Sequence, residues 1–246
     1  MKEIEKALKK IERDYNVKIV WAIESGSRAW GFASDDSDYD IRCMHIGKVK
    51  DYLGMFQPPQ QINLMEGNLD IESWDIKKFA ALTMKSNPQI AEWLRSPIVY
   101  RESDARERLR DLFDKGCSLE FLSQHYLRMA KQNYRKYMGI GSEHSCKKYL
   151  YVLRGIACSE FIKKEKKLPP LPYKEVIPYL PKSIEKFFEK CVIQKNQTEK
   201  ATIIASPEVS LFIDKKISEI KPKKRHEFSK IKELNEFVVK QILRRG

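Results

Sequence analysis

Apolar side chains at the start of the chain recur with the period of a helix. Between positions 2 and 15, Ile4, Leu8 and Ile11 are separated by lysines and glutamates. This spacing places the apolar positions on one face of the segment. The segment is therefore predicted to be an amphipathic helix.

A different pattern follows, in which short stretches of β-branched, aromatic and other apolar residues are bounded by turn residues. Such stretches predict strands. The predicted strands cover residues 17–24, 39–46, 61–65, 68–73 and 96–100.

Two predicted helices lie between the fourth and fifth of these strands. Asp75 is placed to cap a helix that continues to about Lys85, and Asn87 precedes a proline at the first position of a shorter helix. The order of helices and strands up to this point predicts a compact α+β fold.

Beyond residue 101, strand patterns nearly vanish and helical periodicity takes their place. The predicted helices cover residues 104–115, 118–138, 144–165, 182–194, 207–219 and 224–244. The charge changes at the same point, because residues 1–100 carry 14 Lys and Arg against 15 Asp and Glu, whereas residues 101–246 carry 33 against 19. We therefore predict two domains, an α+β domain of residues 1–101 and a basic, all-helical domain of residues 102–246.

The composition predicts a cytoplasmic protein without a membrane partner. The apolar fraction of 42% is enough for a core, and no apolar run approaches the roughly 18 residues of a membrane span. The charged N-terminal segment does not resemble a signal peptide. Five cysteines without a CxxC pair are expected to be reduced thiols and not zinc ligands.

The most informative stretch joins the first two predicted strands. Gly26 and Ser27 form a turn whose glycine lets the backbone approach a phosphate and whose N–H groups can bind an anion. Asp38 and Asp40 stand at the start of the next strand, where residues two apart point to the same side. We expect both carboxylates to meet opposite the turn.

Two carboxylates on one side of a strand repel each other unless a cation lies between them. Mg²⁺ prefers such hard oxygen ligands, so the pattern indicates phosphoryl transfer. A glycine that only turns the chain and a solvated acid pair are the alternatives. The transferase interpretation would fail if the carboxylate oxygens of Asp38 and Asp40 diverged, or if a lysine or arginine capped them and left no room between them.

The first predicted strand, the Gly26-Ser27 turn and the Asp38 and Asp40 pair together resemble the polymerase β-like nucleotidyltransferase superfamily. The pattern of that superfamily is a strand, Gly followed by Gly or Ser, a loop, and acid-apolar-acid-apolar. Residues 26–32 and 37–42 resemble more closely its YcgL-type, RNA-ligase-associated (RlaP-like) family. Three further blocks are similar to the same family, at residues 74–79, 86–100 and 147–154. The resemblance implies a small mixed sheet with flanking helices, followed by an all-helical domain.

The resemblance also implies two-metal catalysis with Mg²⁺ or Mn²⁺ as the cofactor and an NTP as the substrate. Asp38 and Asp40 would hold both metal ions. Asp70, which is flanked by apolar residues on a neighbouring predicted strand, is expected to be the third carboxylate, with Glu72 as the alternative. Asp38, Asp40 and Asp70 are thus the predicted catalytic and metal-binding residues.

Two groups of residues are expected to bind the nucleotide. The first, at the turn, would hold the β- and γ-phosphates and comprises Gly26, Ser27 and Arg28. The second lies on the predicted helix 144–165, where Lys147, Tyr151, Arg154 and Cys158 share a stripe at helical spacing. From this helix, Lys147, Tyr151 and Arg154 are expected to bind the nucleotide, together with Lys148, which lies beside the stripe and could reach the same cleft. The alternative for the second group is a surface ion-pair face with the tyrosine in the core.

We predict a nucleotidyltransferase that moves a nucleoside monophosphate from an NTP to an acceptor hydroxyl and releases pyrophosphate. The basic second part fits a polyanionic partner, and the resemblance implies RNA, so the expected acceptor is a tRNA-like RNA end in RNA repair or processing. The alternatives are an enzyme that modifies a protein or a small molecule, and a catalytically inert RNA-binding or antitoxin-like module.

Overall fold

The computed structural model describes residues 1–137, 144–198, 200–222 and 227–245. The chain divides into two compact units. The first unit comprises Met1–Ala29, Asp38–Cys117 and Glu227–Gly246, and the second comprises Trp30–Ser37 and Ser118–His226.

The described residues form seven strands and a larger set of helices. The strands are β1 (Lys18–Glu24), β2 (Tyr39–Ile46), β3 (Gln61–Glu66), β4 (Leu69–Asp75), β5 (Val99–Arg101), β6 (His144–Ser145) and β7 (Thr202–Ile203). The helices are α1 (Lys2–Tyr15), α2 (Gly26–Trp30), α3 (Val49–Leu53), α4 (Ile76–Met84), α5 (Pro88–Trp93), α6 (Asp104–Gly116), α7 (Leu119–Tyr137), α8 (Cys146–Glu165), α9 (Tyr173–Val176), α10 (Lys182–Gln197), α11 (Pro207–Ser218) and α12 (Ile231–Leu243). A short 3₁₀ helix follows α9 at Ile177–Tyr179.

The first unit is built on a five-stranded mixed sheet with the strand order β3-β4-β2-β1-β5. Strands β2 and β4 are parallel, and the other neighbouring strands are antiparallel. Strand β2 is the central strand, so a change in β2 affects both β4 and β1.

Helix α1 covers one face of this sheet. Its apolar face, Ile4, Leu8 and Ile11, is buried together with Ile41 of β2 and Ile71 of β4. Burying these side chains removes apolar surface from water, which is the main stabilising contribution to such a unit. The three-residue and four-residue spacing seen in the sequence is the cause of this packing.

Strands β3 and β4 form a hairpin closed by the two residues Gly67 and Asn68. Glu66 pairs with Leu69 across the end of the ladder, and Gly67 has a φ of 62°, a left-handed conformation that a glycine adopts without strain. The turn fixes the register of β4, and β4 then carries Asp70 beside β2.

Side chains cap the helices that follow the sheet in the first unit. Asp75 accepts a hydrogen bond of 2.8 Å from the backbone N–H of Lys77 at the start of α4, and Asn87 accepts one of 2.7 Å from Gln89 at the start of α5. These caps satisfy N–H groups that have no partner inside the helix.

The second unit is helical apart from the two-residue strands β6 and β7. Its long helices α7 and α8 pack against each other, and α10 packs against α8. Along α8 most side chains are buried, including Leu150, Leu153 and Ile156, because this helix is central in the unit and covered on most of its surface.

The loop of residues 30–37 also belongs to the second unit. The Phe32 ring lies 5.8 Å from the ring of Tyr173 and 6.2 Å from that of Phe188. Further along the loop, the fully buried ammonium group of Lys195 donates hydrogen bonds of 3.1 Å to the hydroxyls of both Ser34 and Ser37. Helix α10 thus holds the loop that directly precedes Asp38 in the sequence.

The structure confirms the predicted α+β fold class, a mixed sheet with flanking helices. Each predicted strand and helix has a counterpart, although position 138 and positions 224–226 of two predicted helices lie outside the described residues. No pattern predicted α2, where a turn was expected, or α3, α9, β6 and β7. The predicted boundary between residues 101 and 102 stays a prediction, and the first compact unit also includes α6 and α12. None of the helices in the described ranges is long and apolar enough to cross a membrane.

Candidate active site

Gly26 and Asp40 are in direct contact at the end of β1. Gly26 has a φ of 61°, and a Cβ atom added to it would lie 2.0 Å from Oδ2 of Asp40. The backbone N–H of Ser25 also donates a hydrogen bond of 2.8 Å to the carbonyl of Asp40. Any side chain at position 26 would collide with this carboxylate, so glycine is required here.

Asp40 on β2 and Asp70 on β4 are direct partners in the parallel ladder. Both side chains are partly exposed, Asp40 by 23% and Asp70 by 40%. The structure therefore places the predicted third carboxylate next to one of the predicted pair, in a position that solvent can reach.

Arg42 lies between these two acids. Its Nη2 contacts Oδ1 of Asp40 at 2.8 Å and Oδ2 of Asp70 at 3.0 Å, and its Nη1 donates to the backbone carbonyls of Asp70 at 2.8 Å and Ile41 at 3.1 Å. A basic side chain thus does lie beside Asp40, but it joins Asp40 to Asp70 and not to Asp38. The sequence analysis gave Arg42 no role.

The acids around Arg42 keep it charged. Burial alone lowers the pKa of its guanidinium, but Asp40, Asp70 and Glu72 outweigh this effect and raise the pKa above its ordinary value. A permanent positive charge therefore stands within the group of carboxylates.

Glu72 has a structural partner of its own. Its Oε1 accepts a hydrogen bond of 2.7 Å from the indole nitrogen of Trp74, and its Oε2 lies 3.8 Å from Nε of Arg42. Asp70 is the more exposed of the two acids, at 40% against 21%. This difference agrees with the preference for Asp70 as the third carboxylate, which stays a prediction.

Asp38 is exposed and directly precedes β2, which begins at Tyr39. Its backbone carbonyl accepts a hydrogen bond of 3.3 Å from Nε of Arg28, and the Arg28 guanidinium lies 4.1 Å from the centre of the Tyr39 ring. Ser27 is buried in the short helix α2. Of the three residues that would grip the phosphates, Gly26 and Arg28 thus lie against the start of β2.

Glu24 is a site residue that the sequence analysis missed. It is fully buried, and its Oε1 accepts a hydrogen bond of 2.9 Å from the backbone N–H of Asp40, while Tyr100 donates its hydroxyl to Oε2. Burial raises the pKa of this carboxyl group. An acid at the end of an otherwise apolar strand, directly before the glycine turn, was the signal that could have identified it.

The second group of predicted nucleotide-binding residues lies in the second unit, on α8. Arg154 is buried there, where it donates a hydrogen bond of 3.0 Å to the carbonyl of Leu171 and lies 4.3 Å from the Trp30 ring. The Tyr151 ring is 4.9 Å from that of Trp30. Lys147 and Lys148 are half-buried. Nucleotide binding by these residues stays a prediction.

The carboxylates near Arg42 do not form a ready-made metal site. In the parts of the chain that the structure describes, no three Asp, Glu, His or Cys side chains are grouped so that they could hold a metal ion as they stand. Asp40 and Asp70 offer oxygen ligands of the kind that Mg²⁺ prefers, each with one oxygen bonded to Arg42.

Comparison with known protein families identifies the chain. The model of the family RlaP, described as the RNA repair pathway DNA polymerase beta family, matches residues 1–240. The chain belongs to this family. The match includes the strand-turn-strand segment with Gly26, Asp38 and Asp40, and it confirms the resemblance seen in the sequence.

A relative of this RlaP-family chain is the uncharacterized protein YcgL of Bacillus subtilis (strain 168), which is 44% identical over 168 residues. The aligned part is 68% of the chain and 64% of the relative, so the chain spans just under two thirds of that protein. The crystal structure of a nucleotidyltransferase-like protein from Exiguobacterium sibiricum 255-15 superposes with a TM-score of 0.32. The two sequences are 10% identical, and the superposition covers 99% of this chain and 77% of the other. A structural likeness this weak carries no argument about the chain.

Proposed function

We propose that this protein transfers a nucleoside monophosphate from an NTP to the terminal hydroxyl of an RNA. The match of the RlaP family to residues 1–240 carries the proposal. The contact between Gly26 and Asp40 supports it, because a carboxylate held against a glycine turn brings a negatively charged ligand group and a phosphate-binding backbone together.

In the proposed reaction, the oxygen of the acceptor hydroxyl attacks the α-phosphorus of the NTP. A new P–O bond forms to the acceptor, the bond between the α-phosphorus and the β-bridging oxygen breaks, and pyrophosphate leaves with that electron pair. The proton of the hydroxyl passes to solvent or to a nearby carboxylate. Gly26, Ser27 and Arg28 would hold the β- and γ-phosphates, so that the leaving group stays in line.

Although Asp38, Asp40 and Asp70 are not grouped as a metal site as they stand, they would supply the carboxylate oxygens that a divalent cation prefers. Asp40 and Asp70 are neighbours in the ladder, and the exposed Asp38 directly precedes β2 in the sequence. A bound Mg²⁺ or Mn²⁺ would neutralise the charge of the phosphates and of the developing oxyanion. The carboxylates themselves would orient the acceptor hydroxyl and keep the nearby backbone in place.

RNA is proposed as the acceptor because of the family and the charge. Residues 101–246 carry 33 Lys and Arg against 19 Asp and Glu, and a polyanion binds to such an excess with release of counterions. The proposed RNA surface thus belongs to the basic part of the sequence, and a cytoplasmic location is proposed with it.

The direct test combines the protein with Mg²⁺, each radiolabelled NTP in turn, and short RNAs that end in a 3′-hydroxyl or a 3′-deoxy nucleotide. We expect label only on RNA with the hydroxyl, with equimolar pyrophosphate. Asp40→Asn should lose at least about 100-fold in rate, because it removes a group that acts in the transition state.

The alternatives give other results in the same assay. Label on an added protein or small molecule, but not on RNA, would replace the RNA acceptor with that class of substrate. No transfer to any acceptor, together with salt-sensitive RNA binding, would indicate an inert RNA-binding module. Lys9→Gln, a change on the exposed face of α1, is the control for loss of one charge, and its rate should stay within about twofold of the unchanged protein.

A further inference from the structure

We infer that Arg42 is a positioning residue that acts as a resident cation of the Asp40–Asp70 pair. It would hold the two carboxylates together before any metal binds and stay in place when one does. This inference rests on the proposed function, because it treats Asp40 and Asp70 as metal ligands.

The first support is the way in which the backbone holds Arg42. Its Nη1 donates to two carbonyls, those of Ile41 and Asp70, at 3.1 Å and 2.8 Å, and its side chain is only 14% exposed. A metal that displaced the guanidinium would leave buried N–H groups and two carbonyls without these bonds, which is costly. The arginine is therefore built into the strand pair and is not a temporary occupant.

The second support is the charge of the pair. Asp40 and Asp70 are direct partners in the parallel ladder, so two ionised carboxylates would face each other at short range. Like charges in that position destabilise a sheet. The Nη2 of Arg42 bonds one oxygen of each, at 2.8 Å and 3.0 Å, which offsets the repulsion without any metal.

The position of Arg42 on the strand gives the third support. Asp40 and Arg42 are two residues apart on β2 and share a face, and Glu72, the ladder partner of Arg42, approaches its Nε at 3.8 Å. One guanidinium thus meets carboxylates from both strands. A lysine has one point of charge and could not keep these planar contacts at the same time.

The inference predicts that removal of Arg42 makes the fold depend on metal. Arg42→Gln in EDTA should melt roughly 5–10 °C below the unchanged protein, because the paired acids lose their cation. MnCl₂, used alone as the probe and without NTP, should then raise the melting temperature of the variant at least about twice as much as that of the unchanged protein. Arg13→Gln, which removes an exposed arginine paired with Asp14, is the matched control and should keep the ordinary Mn²⁺ response.

A double variant separates neutralisation from simple packing. Arg42→Gln with Asp70→Asn removes the Asp40–Asp70 pair of like charges, so the melting temperature in EDTA should recover part of the loss, a non-additive result. If the single variant does not fold, the double variant should still fold. The inference is overturned if Mn²⁺ stabilises Arg42→Gln no more than the unchanged protein, or if the double variant is as unstable as the sum of its parts or does not fold.

These results are independent of the transfer assay. Unchanged protein that transfers nucleotide while Arg42→Gln shows no added response to Mn²⁺ would leave the proposed function intact and remove the role of Arg42. If the protein transfers no nucleotide but Arg42→Gln shows the enhanced Mn²⁺ response, the role of Arg42 stands and the proposed function fails.

Discussion

The carboxylate of Asp40 occupies the space that a side chain on Gly26 would need, since a Cβ atom at position 26 would lie 2.0 Å from its Oδ2. Two segments 14 positions apart in the sequence are thus fitted to each other at the proposed phosphate site. The left-handed φ of 61° at Gly26 adds a second reason why no other residue suits this position.

Gly26→Ala should therefore lower both stability and activity. We expect a loss of about 2–4 kcal/mol in the free energy of unfolding, from the strained φ and the collision with Asp40. Displacement of the carboxylate by about 1 Å should reduce nucleotide transfer by about 100-fold or more. Urea unfolding and the transfer assay measure the two effects.

Gly67→Ala is the matched control, because Gly67 has a φ of 62° and nothing within 4 Å of an added Cβ. It should cost only about 1 kcal/mol, the conformational part of the effect, and leave transfer unchanged. Equal losses in the two variants would show that the contact with Asp40 has no influence.

His45 should make the stability of the first unit depend on pH. It is buried on β2, with Nδ1 2.8 Å from the Ser73 hydroxyl and Nε2 2.9 Å from the Pro59 carbonyl. Burial lowers the pKa of His45 below its ordinary 6.5, although the Pro59 carbonyl and the charge of Asp75 act in the opposite direction. The unfolded chain then binds a proton before the folded one does, so stability is lost as the pH falls below about 6.5 towards the folded pKa.

The measurement is the free energy of unfolding at pH 7.5 and pH 5.5 for the unchanged protein and His45→Gln. The variant should be less stable at the higher pH, because it loses two buried hydrogen bonds, but it should lose less on acidification. Titration of the other groups is common to both proteins and cancels in the difference. An equal loss on acidification in both proteins would contradict the assignment to His45.

Ser37, the residue before Asp38, should matter for stability because its hydroxyl bonds the buried Lys195. Its hydroxyl accepts hydrogen bonds from Nζ of Lys195 at 3.1 Å and from the backbone N–H of Ser34 at 3.0 Å. Ser37→Ala removes an acceptor for a buried charge and should lower the free energy of unfolding by about 1–3 kcal/mol. The control is Ser229→Ala, which changes an exposed serine, and thermal unfolding compares the two variants. Similar melting temperatures would count against a role for the Lys195 contact.

The main elements of the fold could be predicted because their signals are local. The spacing of Ile4, Leu8 and Ile11 specifies a helix with one buried face, and the structure buries that face against the sheet. Helix α2 gave no such signal, because five residues that begin with glycine and serine are too few to show a period. Strands β6 and β7, with two residues each, are defined only by their pairing.

The site was predictable only where one strand determines it. The period of two that groups Asp38 with Asp40 also places Arg42 on the same face, so the arginine beside Asp40 follows from the same rule. Its contact with Asp70 required the register of β2 and β4, which depends on the packed sheet. The contact of Lys195 with Ser34 joins residues 161 positions apart, and no pattern in the sequence indicates it.

The stripe on α8 should separate into a structural and a nucleotide-binding part. Arg154 is buried, with its guanidinium bonded to the carbonyl of Leu171 and 4.3 Å from the Trp30 ring, whereas Lys147 is half-buried. Arg154→Gln should therefore lower the free energy of unfolding by about 2–3 kcal/mol, because a buried charge-assisted bond is lost. Lys147→Gln should lower it by less than Arg154→Gln does, because Lys147 is only half-buried.

Lys147→Gln should instead affect NTP binding, measured by titration calorimetry with a nonhydrolysable analogue. If Lys147 binds the triphosphate as predicted, loss of its charge should weaken binding by about 5-fold to 10-fold, which corresponds to roughly 1 kcal/mol. Lys174→Gln, on the exposed side of α9, removes a lysine outside the stripe and should leave the affinity unchanged. If Lys147→Gln binds the analogue as tightly as this control, the stripe is a structural feature of the second unit, in which Arg154 and Tyr151 contact the Trp30 ring.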